Sequence, residues 1–144
     1  AYPGADFMIP FGKGALRREG DDLAVLTWGA LVQRSLLAAQ QAEQEGISAA
    51  VFDLRTIVPY DWMGIASLVK RMNRVLIVHE DHLTCGFGAE LAARIVGELF
   101  EHLDAPVRRV ASLDTPVAYC PDLEEVILPQ SADVLAAIRE TAAY

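Results

Sequence analysis

Residues 74–78, RVLIV, decide the fold. Four apolar residues follow one another without alternation, and three of them are β-branched. That pattern suits a strand buried on both faces, as in a parallel sheet, and not one with a wet side. Working outward, residues 23–28 (LAVLTW) form another short apolar run, closed by Gly29. Residues 49–54 (AAVFDL) form a third, and residues 107–111 (VRRVA) read as a further strand.

Between these runs the spacing changes from short and continuous to helical. Over residues 30–45, Val32, Leu36 and Ala39 share one face, flanked by Leu31, Ala38 and Ala42. Gln33, Gln41 and Gln44 fall on the far side, and Gly46 suits the position just past the helix end. Pro59 and Asp61 open the next helix, with Asp61 able to cap its first turn. Its stripe is Ile65, Leu68, Val69 and Met72, and Lys70 and Arg71 sit favourably near its negative end. Further helices are predicted over residues 89–103 and 132–142, the last capped by Ser131. Pro116 and Pro121 mark a crossing between them.

Residues 1–20 are rich in Gly and Pro and read as an extended lead-in, with a short strand at residues 15–18. Strands alternating with helices imply right-handed crossovers and a mainly parallel sheet with helices on both faces. The expected fold is a three-layer α/β/α sandwich in one domain over residues 1–144.

Bulk chemistry narrows the partners. The chain is 53% hydrophobic and 22% charged, which suits a packed domain and not a disordered one. A net charge of −8 argues against nucleic acid and anionic membrane, which need a basic face. No apolar run approaches the roughly 20 residues that span a bilayer. The opening AYPGADF lacks a signal-peptide profile, so a cytoplasmic or mitochondrial-matrix location is expected. No start methionine is present, as in a fragment or a processed product. Cys85 and Cys120 form no CxxC pair, and reduced structural thiols are expected.

Chemistry-bearing residues concentrate in VHEDHLTCGFGAE. His79, Glu80, Asp81 and His82 crowd at the carboxyl end of a strand, where open α/β sheets place ligands. A helical zinc site wants histidines four apart, but position 83 is Leu. A catalytic histidine–carboxylate pair is a second reading. The reading the residues favour is a polar strand end bonded to neighbouring backbone and a facing subunit, with His79 and Glu80 as interface candidates. Gly86-Phe87-Gly88 could aim N–H groups at phosphate, but the dinucleotide fingerprint wants Gly where Leu91 stands. No serine sits in a Gly-x-Ser-x-Gly elbow. Trp28 and Trp62 read as packing residues. In the pairs Arg17-Arg18 and Arg108-Arg109 one side chain should face solvent or a partner, and Arg55 could hold a carboxylate. These residues assign no catalytic, cofactor-binding or metal-binding role.

Five stretches carry a resemblance: IPFGKGALRREGDDLAVLTWG (9–29), GISAAVFDLRTIVPYD (46–61), RVLIVHEDHLTCGFGAELAARI (74–95), LDAPVRRVASLDTPVAY (103–119) and LEEVILP (123–129). They resemble, in family order, the carboxy-terminal domain of the transketolase-like family. The likeness is strongest to the β subunits of branched-chain 2-oxo-acid, pyruvate and acetoin dehydrogenases. The LDAPVRRVASLDTPVAY block favours these over deoxyxylulose-phosphate synthases and true transketolases, which remain alternatives together with a small-ligand-binding regulatory domain. One departure is Cys85, which stands where the family often has Gly or Ser.

The resemblance implies an oxidoreductase that decarboxylates a 2-oxo acid on thiamine diphosphate with magnesium. It implies that coenzyme and metal are held elsewhere, so that this domain binds neither and is inactive alone. The implied partners are the pyrimidine-binding domain of the same subunit, the α subunit, a second β subunit and the small basic subunit-binding domain of an acyltransferase. For that basic partner the natural contacts are Glu98, Glu101 and Asp104, joined by the terminal carboxylate if Tyr144 ends the chain. The choice of 2-oxo acid is not readable from this domain.

Overall fold

The structure is a computed structural model that describes residue 4 and residues 6–144. Residues 1–3 and 5 of the lead-in lie outside the described part. Along the chain run β1 (Ala15–Arg18), β2 (Leu23–Thr27), α1 (Leu31–Glu43), β3 (Ala49–Asp53), α2 (Trp62–Met72), β4 (Val75–His82), α3 (Phe87–Leu99), β5 (Arg108–Ser112), α4 (Pro121–Ile127) and α5 (Ser131–Ala142). A 3-10 turn at Phe100–His102 follows α3.

The sheet order is β1-β3-β2-β4-β5. Four strands are parallel, and β1 joins the edge antiparallel to β3. β2 lies between β3 and β4, and every one of its residues is buried. Side-chain alternation along each strand splits the interior in two. Ala24, Leu26, Val75 and Ile77 point toward α2 and α3, with Leu68, Val69, Leu91 and Ile95 packed on them. Leu23, Val25, Leu76 and Val78 point toward α1 and α5, meeting Ala38, Ala42, Val134 and Ile138. The result is the expected three-layer sandwich with a mainly parallel sheet. Both faces of the sheet are covered by the chain's own helices, so the core closes without outside elements.

The local signals act as the residue types require. Asp61 caps α2, its Oδ1 accepting from Gly64 N at 3.0 Å. Asn73 closes α2 in the left-handed conformation at φ 61°. Gly46, at φ 82°, turns the chain after α1.

Four details differ from the sequence-based reading. β4 continues to His82 rather than stopping at Val78. The helix expected over residues 89–103 starts earlier, at Phe87, and gives way to the 3-10 turn after Leu99. The crossing holds an extra helix, α4, with no buried residue. The cap of α5 is Gln130, not Ser131: its side chain receives the Asp133 N–H while the Asp133 carboxylate accepts from Gln130 N.

Ile77, fully buried in the central pair, tests the core. Ile77→Ala should cost about 2–5 kcal/mol in chemical denaturation. Leu37→Ala, on the exposed side of α1, should stay within about 0.5 kcal/mol.

Candidate functional site

The two ends of the sheet carry different chemistry. At the carboxyl end, β4 bulges. From Val78 to His82 it takes four steps, where β5 takes two, from Val110 to Ser112. A bulge re-aims side chains and bends the strand. His79 keeps the alternation of Val75 and Ile77 and turns inward toward α3, where it is fully buried. Trp28, continuing the inward parity of Leu26, lies parallel to the imidazole at 5.2 Å between ring centroids and 4° between planes. Gly88 meets the ring from the other element, and a Cβ there would run into the imidazole.

Neither ring nitrogen of His79 has a hydrogen-bonding partner. Its pKa is therefore pushed below the ordinary 6.5, chiefly because burial disfavours the charged form. The Asp81 carboxylate opposes the shift, and Arg109 adds to it. The Asp81 backbone, close but outside hydrogen-bonding geometry, opposes it weakly.

The neighbours of His79 are tied within the chain. The Glu80 carbonyl accepts from Ser112 Oγ at 2.5 Å, and its side chain is exposed. Asp81 accepts from His82 N at 2.8 Å and from Phe87 N at 3.3 Å, the latter at the start of α3. His82 Nε2 donates to Thr115 O at 2.8 Å. Thr84 binds Asp114 through both N–H (3.0 Å) and hydroxyl (2.6 Å). These bonds hold the Asp114 carboxyl below the usual carboxylate range. Among the described residues no three His, Cys, Asp or Glu side chains are placed to share a metal ion.

The glycine turn at Gly86–Gly88 does not fit a diphosphate such as that of thiamine diphosphate. Asp81 already fills the positive end of α3, and a second anion there would face its charge. The imidazole closes the space on the other side. Tyr60, Phe87 and Trp62 extend the aromatic stack outward, and the Arg94 guanidinium sits 4.0 Å from the Trp62 ring centroid. Arg94 also donates to Tyr60 Oη at 2.7 Å. Sequence reasoning missed this clamp, although Arg94 and Glu98 stand at helical i, i+4 spacing.

The amino-terminal end of the sheet gathers the acidic candidates. Glu101 and Asp104 are exposed between α3 and β5. The Asp104 N–H donates to Asn73 O at 2.8 Å, and Asn73 Nδ2 donates to His102 O at 2.8 Å, which fixes this connection to the end of α2. Tyr144 arrives at the same end: its ring lies 5.8 Å from Arg108 Cζ, at the start of β5. Arg108 is itself paired with Glu140 at 2.7 Å. Glu98 is less available, since it binds Arg94 Nε at 2.8 Å. Glu101, Asp104 and Tyr144 thus share one end, whereas His79 and Glu80 stand at the opposite one.

Parallel strands in this order, with an antiparallel edge strand and helices on both faces, define a doubly wound α/β domain. Residues 12–134 match the family model of the transketolase carboxy-terminal domain, and the chain belongs to that family. It is 42% identical, over 99% of its length, to 2-oxoisovalerate dehydrogenase subunit beta 2, mitochondrial, of Arabidopsis thaliana, covering 39% of that protein. It is 39% identical, again over 99% of its length, to 2-oxoisovalerate dehydrogenase subunit beta of Bacillus subtilis, covering 44% of it. It is 38% identical over 94% of its length to pyruvate dehydrogenase E1 component subunit beta-2, mitochondrial, of Oryza sativa, covering 36% of it. The chain therefore spans about two-fifths of the length of these curated relatives. Among solved structures, a split-gene transketolase in an inactive β4 tetramer superposes with a TM-score of 0.84 at 25% identity, covering 97% of this chain and 45% of that one. No helix among the described residues is long and apolar enough to cross a membrane.

The buried histidine makes a signed prediction. Its folded-state pKa lies below the unfolded one, so its contribution is full above about pH 6.5 and falls away as the unfolded chain takes up the proton. Between pH 7 and 5, unfolding free energy should drop by up to about 1.4 kcal/mol per pH unit from this group. His79→Phe, which preserves the stack on Trp28, should flatten that part of the slope. Identical slopes for the two proteins would remove His79 from the acid response.

Proposed function

We propose that this chain is the carboxy-terminal assembly and docking domain of the β subunit of a thiamine-diphosphate-dependent 2-oxo-acid dehydrogenase, acting on pyruvate or a branched-chain 2-oxo acid. The observation that carries this reading is the alignment of 99% of this chain with part of two 2-oxoisovalerate dehydrogenase β subunits, at 42% and 39% identity. The glycine turn filled by Asp81 and His79 supports a domain that holds no coenzyme itself. In the assembled enzyme the domain packs against the pyrimidine-binding domain of its own subunit, the α subunit and a second β subunit. The expected location is the cytoplasm or the mitochondrial matrix; the names of the plant relatives say mitochondrial for those proteins.

Exposed apolar side chains support a domain made to be covered. Phe7, Met8, Ile9 and Phe11 of the lead-in and Val58 and Met63 near the start of α2 are exposed. Val117, Tyr119, Leu123 and Val126 form a second exposed group in and before α4. Exposed large apolar side chains in groups mark interaction surfaces more often than singles do.

The docking surface is the amino-terminal end of the sheet, where Glu101 and Asp104 stand exposed and Tyr144 joins them. Its partner is the small basic subunit-binding domain of an acyltransferase. Opposed charge there speeds and orients encounter more than it deepens affinity. Glu98 lies near but is already occupied by Arg94. His79 and Glu80, at the far end, serve a facing subunit, His79 only through the packing it supports.

The test uses the assembled enzyme and the subunit-binding domain at several salt concentrations. Glu101→Lys with Asp104→Lys should slow association about tenfold at low salt and flatten its salt dependence. Unchanged kinetics in the double variant would place docking elsewhere on the domain.

A further inference from the structure

The arginine pairs singled out in the sequence resolve unequally. Arg18 binds Glu43 at 2.9 Å, Arg108 binds Glu140 at 2.7 Å, and Arg109 donates to Leu83 O at 2.5 Å. Arg17 and Arg55 are different. Among the described residues neither guanidinium has an ion-pair or hydrogen-bond partner, although the chain is acidic overall. Both line one open cleft of about 530 Å³ at the carboxyl ends of β2 and β3. Its other wall is the lead-in, through Ile9 and Phe11, and Phe11 is 84% exposed.

The cleft is held in shape. Arg55 has φ 58°, a left-handed conformation that an L side chain adopts only at a cost. Its N–H is fixed to Asp53 Oδ1 at 2.9 Å. Gly12 N donates to Thr56 Oγ1 at 3.0 Å, which pins the lead-in beside Arg55. Asp53 also lines the cleft, but one of its oxygens is spent on that Arg55 N–H, and the two guanidiniums outnumber it. The first turn of α1, with no acidic residue and no side-chain cap, opens on the same space.

We propose that this cleft seats the part of the subunit that precedes the domain, and that Arg17 and Arg55 together hold a carboxylate of that part while its apolar neighbours cover Ile9 and Phe11. The proposal rests on the reading of the chain as the carboxy-terminal portion of a longer β subunit. Three observations choose this occupant. The chain covers 39% and 44% of two β-subunit relatives and matches a carboxy-terminal family model, so their remaining length precedes the matched region. The lead-in, which would join that length to the domain, is itself a wall of the cleft. Two unpartnered guanidiniums in a chain of net charge −8 complement an acid, and guanidinium forks take carboxylates in paired hydrogen bonds.

Arginine modification by phenylglyoxal, read residue by residue by mass spectrometry, tests the idea. Arg17 and Arg55 should react readily in this chain alone, which closes its own core. They should be protected about tenfold or more in the complete subunit, a change that tight burial of a charged pair requires. Equal reactivity in the two forms overturns the proposal. The Arg17→Ala, Arg55→Ala double variant is the second arm. It should leave the stability of this chain alone unchanged, because neither side chain has a partner within it. In the complete subunit it should speed tryptic cleavage at Lys13 several-fold, and Lys at both positions should restore part of the resistance. Protection without any change in cleavage would show arginines that are covered but hold nothing, and would also overturn it. Decarboxylation of a 2-oxo acid by the complete subunit with the α subunit tests the β-subunit assignment separately. Activity with unprotected arginines sinks only the cleft, whereas a complete subunit inactive with every α subunit tried sinks both.

Discussion

The pairing of Leu23–Thr27 with Val75–Val78 is the constraint on which the rest depends. Both segments are buried on both faces, so neither can stand at a wet surface. A parallel pair cannot be joined by a tight turn, and each connection must cross a face of the sheet as a helix. The two faces then need two helix layers, and the alternation of side chains assigns residues to each. That same alternation carries past the hydrophobic run. Trp28 after Leu26, and His79 after Ile77, fall on the α2–α3 side and meet as a stacked pair. The arrangement at the strand ends is thus a continuation of core packing into polar sequence.

Packing, in turn, limits chemistry. A strand end followed by glycines and a helix start is the usual seat of a phosphate in open α/β sheets. Here the seat is taken by the chain's own groups. Asp81 accepts the Phe87 N–H, and the neutral imidazole occupies the space that Gly88 leaves open. What the domain leaves open is its surface: Glu101 and Asp104 at the amino-terminal end of the sheet, exposed apolar side chains at the lead-in and α4, and an arginine-lined cleft.

The three central strands of the sheet, β3, β2 and β4, were legible because they are apolar runs of a kind that two-sided burial explains. The first and second helices were legible because their stripes and ends agree, with Gly46 and Asp61 at the turns. Less could be read where tertiary context decides. The direction of β1 depends on pairing with β3, which ALRR does not encode locally. α4 buries none of its residues, so no stripe betrays it, although Pro121 with Asp122 and Glu124 is a helix-start pattern. The bulge in β4 comes from register against β5, and the lack of a hydrogen-bond partner for His79 comes from its burial among aromatic and glycine neighbours; neither is written in the local sequence. In the polar segment, crowding of His79, Glu80, Asp81 and His82 in sequence did not bring all four to one point: His79 and Asp81, two apart, meet around Gly86, while the Glu80 side chain is exposed, because a strand sends neighbours to opposite faces. Glu101 and Asp104 were legible as residues, but the arrival of Tyr144 at the same end of the sheet, against Arg108, required the path of α5. Arg17 and Arg55 lie far apart in sequence, and only the β1–β3 edge brings them into one cleft.

The central claim is that this domain assembles and docks an enzyme without holding its coenzyme. Titration calorimetry of the isolated chain with thiamine diphosphate and magnesium, run beside a 2-oxo-acid decarboxylation assay, tests it most directly. The account predicts no saturable heat and no turnover. One coenzyme bound per chain, or decarboxylation by the chain alone, would contradict it.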